Sequence, residues 1–350
     1  LVASIGGVLV GVGFIIASFT TSLFGFIIAF GVFAGAGFGF GYASATPPAV
    51  KWFPAAKTGM IAGIVVSGFG LASVYAAPLA KWLMVTYSFQ TILMTLGIAF
   101  LVVVVGLAQM VRPPKPGYVP AGQAPAVAPK AGDKKEEFFP KEILCTTQFW
   151  MLWFMYACGA GAGLMIISKL AAIAGIQAGI SLGFILVAVL AVGNGGGRIL
   201  AGILSDKIGR KATMFICFVS QAILIFLLSK ISSESVIGYK LTEQNAEHFQ
   251  TVSIVVMAII SMLVGANYGA NLSLFPSITK DFFGVQNFGM NYGLVFTAWG
   301  FGGFMLAKLA GSMYVKYQTF DIAYYGAAGL LILAALMVFA LKAPHHLHED

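Results

Sequence analysis

One arginine stands inside a long run of apolar and small residues: Arg198, in NGGGRILAGILSD. It lies seven residues before Ser205, roughly 10 Å along a helix at 1.5 Å per residue. A guanidinium at that depth is costly in hydrocarbon and faces a water-filled cavity or a partner. The chain holds 12 acidic residues and none falls in the interior of a hydrophobic segment, Asp321 standing at the very edge of the last, so no visible acid neutralises Arg198 there. A small organic anion is the simplest counter-charge, because the planar fork grips a carboxylate with two parallel hydrogen bonds. Asn194 is four residues earlier and shares that helix face, and Gly195 to Gly197 leave room beside the fork. The competing readings are that Arg198 reaches the inner headgroups or pairs with a group preceding Leu1.

Other chemistry is sparse. Lys308, 19 residues after Gly289 or roughly 28 Å up a helix, is expected to reach the outer surface. Asn267 and Asn271 form an i, i+4 pair that suits a carboxylate or hydroxyl ligand, or serves as polar glue between membrane helices. Converging nucleophiles, paired acids or metal ligands are absent, so no enzyme is expected. Neither a cofactor nor a metal is implied. Gly37 and Gly39 lie in an apolar helix with no strand before them, which excludes a dinucleotide fingerprint. Cys145, Cys158 and Cys217 are far apart and make no disulfide framework. His345, His346 and His348 read as a solvated end or a cloning remnant rather than a metal site.

The elements that position these residues follow from composition. Of 350 residues 59% are hydrophobic and 9% charged, against about 25% charged in ordinary soluble domains. Mean hydropathy is +0.92. A water-facing surface cannot be built from so few charges, so a soluble domain, disorder and a nucleic-acid partner for the +8 charge are excluded. Ten hydrophobic segments, near 1–20, 23–46, 58–80, 88–111, 147–170, 180–204, 212–230, 252–275, 289–313 and 320–342, meet the ~20-residue length of a membrane helix. Residues 113–144, rich in Pro, Ala and Lys, form a linker between the remainder of one bundle (1–112) and a second (145–343), with a tail at 344–350. With the linker placed in the cytoplasm, 13 Lys/Arg fall inside and 5 outside, as the positive-inside rule requires.

An internal repeat supports two bundles. PPAVKWFPAAKTGMIAGIVVSGFG joins the second and third segments, and FPSITKDFFGVQNFGMNYGLVFTAWG joins the eighth and ninth. Gly59, Gly63 and Gly70 recur with identical spacing as Gly289, Gly293 and Gly300. Each loop follows a small-residue segment expected to end at a Pro.

The loop Asp206-Lys207-Ile208-Gly209-Arg210-Lys211, with the two-bundle layout and the central linker, resembles the major facilitator superfamily of secondary transporters. Asn194 to Arg198, Phe275-Pro276-Ser277, Asn291-Tyr292-Gly293 and Lys51-Trp52-Phe53-Pro54 with Lys57-x-Gly59 resemble its oxalate/formate antiporter family, related to the monocarboxylate carriers. The resemblance implies an all-α, polytopic two-bundle fold whose ten visible helices correspond to helices 3 to 12, helices 1 and 2 preceding Leu1. It implies a cytoplasmic gating loop at Asp206, Gly209, Arg210 and Lys211, and alternating access about a midplane site. It also implies that Arg198 holds the carboxylate and that Tyr42, Tyr268 and Phe69 line the cavity, though each also suits helix packing.

Oxalate-exchanging members of that family carry a second cation six residues after the Gly of Asn-Tyr-Gly; here the position is Trp299. One fixed cation suits one negative charge, and a large aromatic suits a short alkyl tail. The expected substrate is therefore a monocarboxylate such as lactate, pyruvate or formate, with an oxalate/formate-type dicarboxylate antiporter or a facilitator for another small organic solute as alternatives. Both anion exchange and proton linkage remain open. A monomer in the lipid bilayer of the plasma (inner) membrane is expected.

Overall fold

The computed structural model describes residues 1–54, 57–115, 118–120, 137–180 and 183–344. The tail histidines and most of the linker lie outside the described residues.

Ten described helices are long and apolar enough to cross a membrane. They are α1 (Val2–Phe19), α2 (Leu23–Val50), α3 (Thr58–Thr86), α4 (Phe89–Ala108), α6 (Thr147–Gln177), α7 (Gly183–Ile208), α8 (Arg210–Leu228), α9 (Ala246–Phe283), α10 (Phe288–Tyr317) and α11 (Asp321–Ala340). A short helix, α5 (Pro140–Leu144), precedes α6. An antiparallel pair of two-residue strands, β1 (Ser235–Val236) and β2 (Tyr239–Lys240), links α8 to α9. Three helix starts carry side-chain caps: the Ser22, Ser88 and Thr146 hydroxyls accept from the backbone N–H of Gly25, Thr91 and Phe149.

The chain divides into two compact units, Leu1–Ala55 with Tyr75–Pro125, and Ala56–Val74 with Ala126–Asp350. The first half of α3 thus belongs with the second unit, whereas the sequence-based boundary at 112 keeps all of α3 in the first.

In the first unit α1 lies against α2 and α4. Its core is Val10, Phe14 and Ala17 packed with Ala29, Ala34 and Leu93. Phe14 sits 5.1 Å from the Phe30 ring and 5.4 Å from the Phe100 ring, within the range of favourable aromatic pairs. The Trp52 indole N–H donates to the Arg112 carbonyl at 3.1 Å, tying the end of α2 to the chain leaving α4.

In the second unit small residues let helices touch backbone to backbone. A methyl built on Gly197 would lie 2.1 Å from the Ala266 carbonyl oxygen, and one on Gly269 the same distance from that of Asn194, which sets α7 hard against α9. Gly161 and Gly302 do the same for α6 and α10. At one end, Gln177 donates to the Leu228 carbonyl at 2.8 Å and accepts from the Tyr324 hydroxyl at 3.0 Å, joining α6, α8 and α11.

Two helices outrun the sequence-based boundaries. The segments expected to stop at a Pro continue: α2 runs through Pro47 and Pro48 to Val50, and α9 runs through Pro276 to Phe283. A proline inside a helix forfeits one backbone hydrogen bond. Around Pro276 the Ser277 hydroxyl donates to the Ser273 carbonyl at 2.8 Å, and residues 270 to 279 are buried. Packing and hydroxyl back-bonding carry the helix past the break, as in other membrane helices.

Candidate functional site

Arg198 is 3% exposed, on α7. Its Nε donates to the Asn194 Oδ1 at 3.0 Å, and its Nη1 donates to the Val66 carbonyl on α3. The side chain therefore turns inward between helices, which disfavours the reading in which it reaches the headgroups. Asn194, buried at 8%, is wedged in turn: its Oδ1 would lie 2.9 Å from a methyl on Gly269 of α9. The i, i+4 spacing read from sequence thus produces a real contact, and three helices hold it.

The approach of α3 to α7 depends on the glycines of the repeat. A methyl on Gly63 would lie 2.4 Å from the Arg198 carbonyl oxygen, one on Gly70 2.8 Å from the Gly195 nitrogen, and one on Gly59 2.6 Å from the Asp206 carboxylate. Their repeat partners differ. Methyls on Gly289, Gly293 and Gly300 of α10 would meet no described atom within 4 Å. The same spacing is a packed face in one copy and an open face in the other.

At the end of this seam lies the charged loop. Gly209 takes φ +89° between α7 and α8, a conformation glycine adopts without a side-chain penalty. The turn brings Arg210 back onto Asp206, Nη1 to Oδ1 at 2.6 Å, and onto the Ser205 hydroxyl at 2.6 Å. Arg210 Nε also donates to Asp281 on α9 at 3.1 Å. The second oxygen of Asp206 accepts from the backbone N–H of Met60 at 3.1 Å, in the first turn of α3. A carboxylate there satisfies an orphan donor and complements the helix dipole. Lys211 is exposed.

A second cluster surrounds Tyr268 on α9. Its buried ring lies over Gly163 of α6, and its hydroxyl accepts from the Trp299 indole N–H at 3.0 Å. Trp299 stacks on Phe296 with centroids 5.4 Å apart and planes 7° apart. Tyr292 continues this aromatic face of α10 toward the charged end.

The other expected lining residues are placed separately. Asn267 accepts from the Ser220 hydroxyl of α8 at 2.8 Å, and Asn271 donates to the Asn267 carbonyl while lying against Gly159 of α6. Both turn toward α8 and α6 rather than α7, so they join helices. Gln221 beside them donates to the Gly159 carbonyl, a membrane-buried polar bond that the sequence reading did not single out. Phe69 is on α3 next to Gly70 and is 44% exposed. Tyr42 lies half-buried on α2, in the first unit. Lys308 is exposed, with its ammonium 5.7 Å from the Phe304 ring centroid.

Comparison with known proteins gives a consistent family. Residues 1–239 and 186–350 match the pattern of the Major Facilitator Superfamily. The chain is 27% identical over 299 residues to an uncharacterized MFS-type transporter, YhjX, of Escherichia coli, covering 85% of this chain and 67% of that one. It is 30% identical over 288 residues to the oxalate:formate antiporter of Oxalobacter formigenes, covering 79% of this chain and 61% of the antiporter. It therefore spans less than two thirds of that antiporter's length. Among solved structures the fucose:proton symporter FucP of E. coli superposes with a TM-score of 0.66 at 12% identity, covering 98% of this chain and 84% of that one. This likeness concerns the fold.

Proposed function

Since the chain belongs to the major facilitator superfamily, we propose that this membrane transporter carries a small monocarboxylate of the lactate, pyruvate or formate kind by alternating access. The observation that carries the proposal is Arg198. It is a buried guanidinium on a glycine-lined helix, oriented by Asn194, in a chain with no acid in the middle of any spanning helix. A fixed cation of this kind attracts and orients a carboxylate. The oxalate:formate antiporter among its relatives supports an anionic substrate.

Arg198 binds the carboxylate, and the Tyr268–Trp299–Phe296 cluster packs the short tail. Asn194 is a positioning residue, since its bond to Nε fixes the plane of the fork. Asn267 and Asn271 contact α8 and α6, and the proposal rests neither on them nor on Tyr42 and Phe69. Asp206, Gly209, Arg210 and Lys211 form the gating loop, which closes the seam of α3 on α7 through the bond from Met60. The excess of basic residues on the linker side supports a cytoplasmic position for that loop, and the membrane we propose is the plasma (inner) membrane. Exchange of one anion for another needs no proton relay and fits the lack of acids along the helices.

The test is counterflow in proteoliposomes with radiolabelled lactate, pyruvate, formate and oxalate. A carrier shows uptake stimulated by unlabelled substrate on the opposite side. Arg198→Ala is expected to abolish this while the protein remains inserted, and Arg198→Lys to retain only part of it because the two-pronged geometry is lost. Undiminished uptake by Arg198→Ala would refute the assignment.

A further inference from the structure

Near its end the linker is fastened to a distant loop. Both oxygens of Glu137 accept backbone N–H groups, from Val285 at 3.1 Å and from Gln286 at 2.8 Å, in the turn between α9 and α10. The next residue continues the contact. The Phe138 N–H donates to the Phe283 carbonyl at 3.2 Å, and the Phe138 carbonyl accepts from the side-chain amides of Asn287 at 3.2 Å and Asn291 at 3.0 Å. The Phe138 ring is buried, edge-on to Phe283 with centroids 5.7 Å apart. Gly284 makes room for the carboxylate. A methyl there would lie 2.1 Å from Glu137 Oε2, and its φ of +83° is itself one that other residues resist.

These contacts meet the charged loop described above within one helical turn. Asp281, four residues before Val285, holds Arg210, which holds Asp206, which holds the first turn of α3 at Met60. We infer that Glu137 is a positioning residue for the gate: by fastening the end of the linker to the α9–α10 turn it holds Asp281 in register with Arg210, and its release loosens the capture of α3 by Asp206. The linker is then part of the closing machinery rather than a passive tether. A carboxylate receiving two backbone N–H bonds is among the stronger single polar contacts available at a protein surface, and coupling of this kind runs through a contiguous chain of bonds.

The test needs no substrate, so its outcome is independent of which solute is carried. The full chain, with Cys145→Ser to remove the exposed native thiol and Met60→Cys as reporter, is reconstituted in proteoliposomes. Two quantities are measured: amide hydrogen exchange at 285 and 286, and alkylation of the thiol at position 60 by a membrane-impermeant maleimide. Glu137→Ala is expected to speed exchange at both amides and to raise alkylation about fivefold or more, the population change of roughly 1 kcal/mol. Gly284→Ala attacks the same contact from the other side and gives the same pair of changes, which covers the case in which Glu137→Ala fails to insert. Glu137→Gln, which keeps an acceptor but loses the charge, falls between. Faster amide exchange with unchanged alkylation would overturn the link to the gate. Unchanged exchange would overturn the clasp itself.

Discussion

Replacing Gly63 by Ala places a methyl 2.4 Å from the Arg198 carbonyl oxygen and 2.9 Å from its carbon. An ordinary contact of this kind is about 3.4 Å or more, so α3 must retreat from α7 by about 1 Å at this point. One turn further on, the same movement pulls the Val66 carbonyl away from the Arg198 guanidinium, a bond that helps hold the fork in place. Overpacking of this size costs about 1–3 kcal/mol, a shift of roughly 5- to 150-fold in the population of the closed seam. The repeat supplies a matched control. Gly293→Ala adds the same methyl at the equivalent place in α10, where no described atom lies within 4 Å. Both substitutions gain the same helix propensity, about 1 kcal/mol, so the difference between them isolates the contact. Thermal unfolding of the purified transporter and initial rates of carboxylate counterflow are the assays. Gly63→Ala is expected to unfold at a lower temperature than Gly293→Ala and to transport more slowly. Equal unfolding temperatures and equal rates would refute the claim that this seam closes on bare backbone.

Trp299→Lys adds a second cation beside Tyr268 and is expected to improve competition by oxalate against a monocarboxylate in uptake; unchanged competition would undo the argument from a single charge. Tyr268→Phe removes the acceptor of the Trp299 indole N–H. It is expected to cost about 1 kcal/mol, read as a lower unfolding midpoint, and to change tryptophan emission; an unaltered spectrum would mean that the two side chains do not touch in the membrane.

Much of the fold was legible because a membrane imposes one demand on every segment. Twenty or so apolar residues in a row must be helical, and all ten such runs are. The boundaries at Pro47 and Pro276 were not, since breakers identified by local propensity yield to tertiary packing. The contact of Arg198 with Asn194 is readable from their four-residue spacing alone. Their third partner, the Val66 carbonyl, was not, because a backbone group 132 residues away carries no signature in its side chain. Asn267 suits a substrate ligand or glue between helices by sequence, and its bond from Ser220 of α8 is not legible there. On a helix apolar on every side the sequence does not say which face a polar residue shares with which neighbour. Glu137 escaped notice for a related reason. A carboxylate in a linker looks like solvated charge until the turn whose amides it binds is folded beside it.

The contact of α3 with α7 has one more consequence. Interlocked side chains must change rotamer before two helices can part, and each such change slows the parting. Here Gly63, Gly70 and Gly202 meet backbone across the seam, while Leu71 on Gly195, the Asp206 carboxylate on Gly59 and the Arg198 guanidinium at Val66 are the side chains that must disengage. With so few side chains to free, the seam is expected to part at a rate set by two polar bonds, Arg198 to the Val66 carbonyl and Met60 N–H to Asp206.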